Sequence, residues 1–185
     1  MNFANGLLMD GTDLFVADSG GTIFKIKDDA TVATWVSDPL LQGTDLSCMY
    51  AAPFPIGANG IVKIGTDFYV SNTNLGSIVK IPIKADGSAG TPAVVAGPSC
   101  DKLGGIDGIA IDSDGKSILG VLNSQSKIVR IDAAGTITDV FAGKPLDNPA
   151  SIVVPFGAPA TAYITNSAFF DMAMPMPGLI QYVLK

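Results

Sequence analysis

Short apolar runs alternate with turn residues along the whole chain, and this pattern predicts β-strands. The runs are four to six residues long, are rich in Ile and Val, and end at turns such as Gly11-Thr12, Gly65-Thr66 and Asp114-Gly115. An amphipathic helix needs a periodic segment of about ten residues, which is longer than these runs. The sequence therefore predicts an all-β protein in which turns separate many short strands.

The apolar runs group into units that repeat along the chain. Three units begin at Asn5-Gly6, Asn59-Gly60 and Asp107-Gly108, and a more divergent fourth begins near Ala150. The starts lie 54, 48 and about 43 residues apart, a spacing that matches propeller blades. Each unit contains short strand patterns separated by Gly, Asp and Asn, as in a meandering antiparallel blade. We therefore predict one β-propeller domain over residues 1–185, with four-stranded blades at about 3–38, 54–97, 103–145 and 146–185.

The fourth unit ends soon after its third strand pattern, at residues 178–183. Only Leu184 and Lys185 follow, so we predict that the last blade lacks its outer strand. The four residues before Asn5 are too few to supply that strand. Because an uncovered strand edge promotes aggregation, we expect a partner strand from outside this sequence to cover it.

The composition narrows the chemistry that such a fold could support. All 17 acidic residues are Asp, and the chain contains neither Glu nor His. The absence of His excludes Ser-His-Asp triads, Cys-His pairs and zinc bound by imidazole. Asp, Asn, Ser, Thr and backbone carbonyl oxygens remain, and these ligands suit hard cations such as Ca²⁺.

The charge of the chain excludes a further class of partner. The net charge is −6, the isoelectric point is near 4.3, and the 11 basic residues are scattered. Nucleic-acid binding needs clustered Lys and Arg, so we expect no nucleic-acid partner. No apolar run approaches the length of about 18 residues that a membrane-spanning helix needs, so we also expect no membrane span.

Two sets of polar residues are predicted to meet at one face of the propeller. The first set opens the inner strands and comprises Asn5, Asn59 and Asp107, with Ala150 or Ser151 in the fourth unit. The second set ends the second strands and comprises Asp18, Asn72, Asn123 and Asn166.

Each set has a structural and a functional interpretation. Asn-Gly and Asp-Gly dipeptides before a strand are ordinary turns, and Asn or Asp after a strand commonly caps a turn. Convergence on the propeller axis favours a partial Ca²⁺ site formed by the first set. The second set would then supply candidate contacts to a small-molecule ligand or substrate at the funnel rim.

At these residues the chain resembles the six-bladed propellers of the senescence-marker-protein/gluconolactonase (regucalcin-like) family. The wider superfamily includes NHL, strictosidine-synthase and paraoxonase-like propellers. The resemblance implies metal ligands in the order Glu, Asn, Asn and Asp, of which Asn5, Asn59 and Asp107 match the last three. No Glu is present to match the first. The resemblance therefore implies the C-terminal four blades of a six-bladed disc, without its N-terminal blades and with an incomplete site for Ca²⁺ or another divalent cation.

The resemblance also implies an activity. Family members use the metal to polarise a lactone or ester oxygen while water attacks, and Asp107 would be both metal ligand and catalytic base. The prediction is therefore a metal-dependent lactonase or esterase. The alternative is a non-catalytic NHL-like propeller that binds a ligand or serves as a structural or assembly module.

Cys48 and Cys100 lie in the loops that precede the second and third inner strands. Adjacent blades would bring these loops together, so we predict a disulfide, with two free thiols as the alternative. A disulfide indicates an oxidising compartment and hence a secreted or periplasmic protein. An apolar loop at residues 168–177 is predicted to pack over the same rim, with a substrate lid or partner surface as the alternative.

Overall fold

Fifteen strands in the described part of the chain form four antiparallel sheets. The computed structural model describes residues 1–43, 48, 55–155, 157–158, 160–169 and 173–184. Most of the loop before the second sheet, and residues 170–172 of the predicted apolar loop, lie outside these ranges. Within the described residues, no helix has the length and apolar character needed to cross a bilayer.

The strands follow one another in chain order. The first sheet contains β1 (Ala4–Asp10), β2 (Asp13–Asp18), β3 (Thr22–Ile26) and β4 (Val32–Ser37). The second contains β5 (Ala58–Ile64), β6 (Asp67–Asn72), β7 (Ser77–Pro82) and β8 (Ala93–Ala96). The third contains β9 (Ile106–Ile111), β10 (Ile118–Leu122), β11 (Lys127–Ile131) and β12 (Ile137–Ala142). The fourth contains β13 (Pro149–Val153), β14 (Thr161–Asn166) and β15 (Gly178–Val183). A 3₁₀ turn at Pro39–Leu41 and a one-turn helix, α1 (Cys100–Leu103), precede the second and third sheets.

Each sheet is a meander in which every strand pairs with the next one in the chain. The first strand of each sheet is the inner strand, and β1 packs beside β5, β5 beside β9, and β9 beside β13. This is the arrangement of propeller blades around an axis. The predicted all-β propeller with a three-stranded last blade is therefore confirmed.

Both faces of an internal blade are buried, because each face packs on a different neighbour. In the second blade, Ile61 and Val70 pack against the first blade, whereas Val62 and Ile78 pack against the third. Successive side chains of a strand point to opposite faces, so a strand buried on both faces needs apolar residues at nearly every position. This explains the unbroken Ile and Val runs in the sequence.

Three apolar clusters fill the interfaces between consecutive blades. The first contains an aromatic group in which the Phe15 ring lies 4.7 Å from the Phe68 ring and 5.3 Å from the Trp35 ring. Burial of one such large side chain stabilises the fold by roughly 1.5–3 kcal/mol. The clusters therefore hold neighbouring blades together.

Hydrogen bonds also join the blades, at the points where the inner strands begin. Ser19 Oγ donates to the Ala58 carbonyl oxygen at 3.0 Å, and Thr73 Oγ1 donates to the Ile106 carbonyl oxygen at 2.7 Å. The backbone returns a bond at each interface, because Gly57 N–H donates to Ser19 and Gly105 N–H donates to Thr73. These bonds satisfy backbone groups buried between blades, where an unpaired group would be costly.

The third interface uses an amide in place of a hydroxyl. Asn123 Nδ2 donates to the Asn148 carbonyl oxygen at 3.4 Å, and Asn148 Nδ2 donates to the Asn123 carbonyl oxygen at 3.3 Å. Asn123 therefore does at this interface what Ser19 and Thr73 do at the other two.

Glycine allows the inner strands to approach each other closely. A Cβ atom on Gly6 would lie 2.1 Å from the Asn59 carbonyl oxygen, and one on Gly60 would lie 2.8 Å from the Asp107 carbonyl oxygen. Such distances are too short for any side chain. The Asn-Gly dipeptides at residues 5 and 59 lie inside β1 and β5, so their interpretation as turns is wrong.

The predicted pairing of the two cysteines is confirmed. Cys48 and Cys100 form a disulfide that ties the loop before β5 to α1, just ahead of β9. The bridge joins segments that are 52 residues apart in the sequence. It therefore restrains the entry to the inner strands of the second and third blades.

Replacing Gly60 with Ala is expected to separate β5 from β9. The added Cβ would lie 2.7 Å from the Ile109 backbone nitrogen, which cannot rotate away. We expect the free energy of unfolding, measured by urea titration, to fall by about 1–3 kcal/mol. Gly178→Ala is the matched control, because no atom lies within 4 Å of its Cβ position. Equal stability of the two variants would contradict the role given to Gly60.

Candidate functional site

A cavity of about 920 Å³ lies where the inner strands of the four blades meet. Its polar lining consists of Asn5, Asn59, Thr73, Asp107, Asn123 and Ser151. Its apolar lining consists of Phe3, Leu7, Ile56, Ile61, Ile109, Ala150, Ile152 and Phe169. The structure therefore brings all three predicted metal ligands to one cavity, each on a different inner strand.

Irregular strand pairing marks the place where these polar residues lie. The register between β1 and β2 shifts between Ala4 and Leu7, and that between β5 and β6 shifts between Ala58 and Ile61. A β-bulge of this kind bends the strand and redirects the side chains within it. Asn5 and Asn59 lie inside these bulges.

A hydroxyl group on β6, the strand that pairs with β5, forms hydrogen bonds with the backbone at the second bulge. Ser71 Oγ accepts a hydrogen bond from Gly60 N–H at 2.8 Å and donates to the Asp107 carbonyl oxygen at 2.7 Å. Ser71 is fully buried. It therefore fixes the spacing between the strands that carry Asn59 and Asp107.

The Asn59 side chain is held in one orientation. Its Nδ2 donates to Thr73 Oγ1 at 2.9 Å, and the Thr73 hydroxyl proton is used by the Ile106 carbonyl oxygen at 2.7 Å. The hydroxyl can thus only accept from the amide, which fixes the amide nitrogen toward Thr73. The Asn59 Oδ1 atom is left for a ligand.

Asp107 is the ionisable side chain of the described cavity lining. Its Oδ2 accepts a hydrogen bond from Asn123 Nδ2 at 3.3 Å. Burial raises the pKa of Asp107 to about 7, although the amides of Asn59 and Asn123 partly oppose this shift. Without a cation nearby, the carboxyl group is therefore divided between its neutral and charged forms at neutral pH.

The remaining members of the first predicted set differ in what they offer. The Asn5 side chain is partly buried in the cavity lining and makes no hydrogen bond with the described residues, so its amide group is open to a ligand. The fourth blade contributes the Ala150 methyl group and the Ser151 side chain. Ala150 therefore occupies the register position of Asn59 and Asp107, and Ser151, one residue later, adds a hydroxyl group to the lining.

Three of the four predicted rim residues hold loops together and are not in the cavity lining. Asp18 accepts hydrogen bonds from the backbone N–H groups of Asn2, Phe3 and Gly20. Asn72 donates to the carbonyl oxygens of Leu40 and Gln42. Asn166 donates to the carbonyl oxygens of Pro145 and Met176. In these three residues the side chain caps a loop or turn, as the structural interpretation of the second polar set expects.

Asn123 differs because the third blade has another register. Asn72 pairs with Ala58 in the second blade, whereas Leu122 pairs with Ile106 in the third. Asn123 therefore occupies the position of Thr73 and points to the axis. Because Asn72 and Asn123 are both asparagines at the end of a second strand, the sequence does not show that their positions differ by one residue. The strand pairing shows it.

The described residues contain no group of three or more Asp, Glu, His or Cys side chains arranged to hold a metal ion. Any cation at the axial cavity would depend on amide oxygens together with Asp107. Amide and carboxylate oxygens are ligands that Ca²⁺ accepts, but it needs about six to eight of them.

The blades and their axial cavity define a β-propeller with a polar axial site. The sequence profile of the SMP-30/Gluconolactonase/LRE-like region matches residues 58–168, which is more than half of the 185-residue chain. The chain therefore belongs to the SMP-30/gluconolactonase/LRE-like family. A comparison with curated protein sequences gave no significant match.

Solved structures share the fold at low sequence identity. The calcium-binding protein regucalcin from Agrobacterium tumefaciens is 19% identical, with a TM-score of 0.70 over 97% of this chain and 60% of its own. A gluconolactonase from Xanthomonas campestris is 13% identical, with a TM-score of 0.70 over 100% of this chain and 59% of its own. A chain of a nidogen–laminin complex is 18% identical, with a TM-score of 0.68 over 94% of this chain and 58% of its own. This chain thus spans between 58% and 60% of the length of these structures.

The raised pKa of Asp107 predicts how stability depends on pH in the absence of divalent cations. Between its usual pKa of 3.8 and about 7, the unfolded chain has an ionised Asp107 while the folded chain retains the proton. Unfolding then releases a proton, so stability from this group is lost as pH rises through that window.

Asp107→Asn should remove this dependence. We expect the unfolding free energy of the wild type, relative to the variant, to fall by roughly 2–4 kcal/mol between pH 4 and pH 8. Urea titrations of both proteins in chelator at several pH values measure the difference. Parallel pH profiles would show that Asp107 is not titrating in the folded protein as described.

Proposed function

We propose that this chain carries the axial site of a divalent-metal-dependent hydrolase that opens lactones or esters. The observation that carries the proposal is the meeting of Asn5, Asn59 and Asp107 in one cavity from three successive inner strands. The similarity to a calcium-binding regucalcin and to a gluconolactonase supports it.

The donor set fits a hard cation. Asn5 and Asn59 offer amide oxygens, and Asp107 offers a carboxylate whose burial leaves its charge without a compensating cation. Water and oxygen ligands from outside the described residues would complete the six to eight positions of Ca²⁺. When bound, the cation supplies Lewis-acid polarisation of the carbonyl oxygen of the substrate.

The residues of the chain then have separate roles. The water oxygen forms a bond to the carbonyl carbon while Asp107 accepts the water proton. The bond between that carbon and the ring or ester oxygen breaks, and Asp107 returns the proton to the leaving oxygen. Asn123 donates to Asp107 Oδ2 and so holds the carboxylate in place.

A partner would complete the site and the fold. Leu7 and Met9 on β1 are 63% and 61% exposed, and Leu179 and Val183 on β15 are 68% and 61% exposed. Apolar exposure at the two ends of the blade series, together with the uncovered edge of β15, favours further blades or a partner strand there. The Cys48–Cys100 disulfide supports a secreted or periplasmic location.

A second candidate function is a non-catalytic ligand-binding or assembly module. The observation that favours it is the single carboxylate in the described cavity lining. Similarity to a chain of a nidogen–laminin complex adds support, because that chain is part of an assembly. An intact polypeptide that binds no divalent cation and hydrolyses no lactone or ester would favour this function.

Substitution of Asp107 tests the hydrolase. With the full native polypeptide in Ca²⁺, Asp107→Ala should lower kcat/KM for lactone or ester hydrolysis by about 100-fold or more, because it removes both a ligand and the base. EDTA should abolish the wild-type activity. Asp101→Ala, at an exposed position on α1, is the control and should be unchanged. Full activity of Asp107→Ala, or activity in EDTA, would overturn the proposal.

Thr73 should affect metal affinity without being a ligand. Thr73→Val keeps the shape of the side chain but removes the acceptor that orients Asn59, so we expect Ca²⁺ affinity to fall by about tenfold. Thr73→Ser retains the hydroxyl and should bind nearly as well as the wild type. Calorimetric titration with Ca²⁺ gives both values. Equal losses in the two variants would assign Thr73 a packing role instead.

A further inference from the structure

The wall of the axial cavity is largely aliphatic. Each inner strand contributes one aliphatic side chain two residues after its predicted polar position: Leu7, Ile61, Ile109 and Ile152. The three isoleucines are at most 7% exposed. Their positions are therefore set by packing between blades, and the apolar surface is built into the fold.

Two aromatic side chains extend this apolar surface. Phe3 precedes β1 and is 51% exposed, and Phe169 follows β14 and is 68% exposed. Both line the cavity, although they come from different blades. Exposed phenylalanines that border a cavity can bury the apolar part of a ligand.

Most of the polar groups in the lining already have partners. Thr73 Oγ1 bonds to the Ile106 carbonyl oxygen at 2.7 Å, and Asn123 Nδ2 lies 3.3 Å from Asp107 Oδ2. Under the proposed function, the other Asn and Asp groups hold the cation. Ser151 is then the side chain of the described lining that is left to pair with substrate hydroxyl groups.

We infer that the substrate is an uncharged lactone or ester with an alkyl or aryl body, and this inference rests on the proposed function. Its carbonyl group lies at the polar residues, and its body lies against the isoleucines and the two phenylalanines. A sugar lactone would bring several hydroxyl groups against this wall, and each unpaired hydroxyl weakens binding. Each methylene group buried there strengthens binding by about fourfold.

Two lactones that share one ring test the inference. δ-Nonalactone carries an alkyl chain, whereas glucono-δ-lactone carries hydroxyl groups. With the full native polypeptide in Ca²⁺, we expect kcat/KM for δ-nonalactone to be at least about tenfold higher. An equal or higher value for glucono-δ-lactone overturns this inference but leaves the proposed hydrolase standing.

Binding separates the two proposals if neither lactone is hydrolysed, which would overturn the hydrolase. The δ-lactam analogues of both compounds resist hydrolysis, and calorimetry measures their affinities directly. Tighter binding of the alkyl lactam supports the apolar ligand class for the cavity. Tighter binding of the sugar lactam, or binding of neither, overturns it.

Phenylalanine variants locate the alkyl chain. Phe3→Ser and Phe169→Ser should each lower the ratio of kcat/KM for δ-nonalactone to that for unsubstituted δ-valerolactone by about threefold to tenfold. Val95→Ser, at a position on β8 that is 37% exposed and outside the cavity lining, is the control and should keep the wild-type ratio. Thermal unfolding of all three variants checks that they fold. An unchanged ratio in both folded phenylalanine variants overturns the inference.

Discussion

The bonds between consecutive blades at the start of each inner strand are the contacts on which the rest of the structure depends. A polar side chain, Ser19, Thr73 or Asn123, donates to a carbonyl oxygen at the start of the next inner strand, and a bond returns from that blade. These bonds need the strands to lie close together, and glycine makes this approach possible at all three interfaces. The apolar clusters farther out then pack one blade on the next. Backbone pairing near the axis and apolar burial away from it therefore act together.

The same close approach creates the candidate site. Polar side chains in the bulges of neighbouring strands are brought to one cavity. Among them, Asn59 is oriented by the Thr73 hydroxyl group, which already binds the Ile106 carbonyl oxygen. Asp107 loses hydration there without gaining a positively charged neighbour in the lining, which is why its pKa rises to about 7. A buried carboxyl group in this condition favours either a proton or a cation. The chemistry proposed for the cavity follows from that electrostatic imbalance, and the apolar wall follows from the packing of the same inner strands.

Much of this arrangement could be predicted from the repeat in the sequence. The spacing of Asn5, Asn59 and Asp107 predicted that three inner strands carry them, and a propeller brings the starts of such strands together. The second polar set was harder to interpret, because Asp18, Asn72 and Asn166 cap loops whereas Asn123 lines the cavity. Residue type could not separate these roles, since an amide can cap a turn or face a cavity. Ser71 and Thr73 carried no signal of their own, because a hydroxyl group gains its role only from the carbonyl oxygen that it meets.

The sequence by itself determined the strands, the number of blades and the kinds of ligand atom available. These properties depend on local periodicity and composition, which each unit of the chain contains in full. The tertiary structure alone decided that the Asn-Gly dipeptides are strand residues and that Asn123 takes the place of Thr73. It also decided that Asp107 is partly buried and loses hydration without a compensating charge. The first two properties depend on how the strands of a blade pair, and the third depends on how blades about fifty residues apart in the sequence pack together. Residue types alone fix neither the pairing nor the packing.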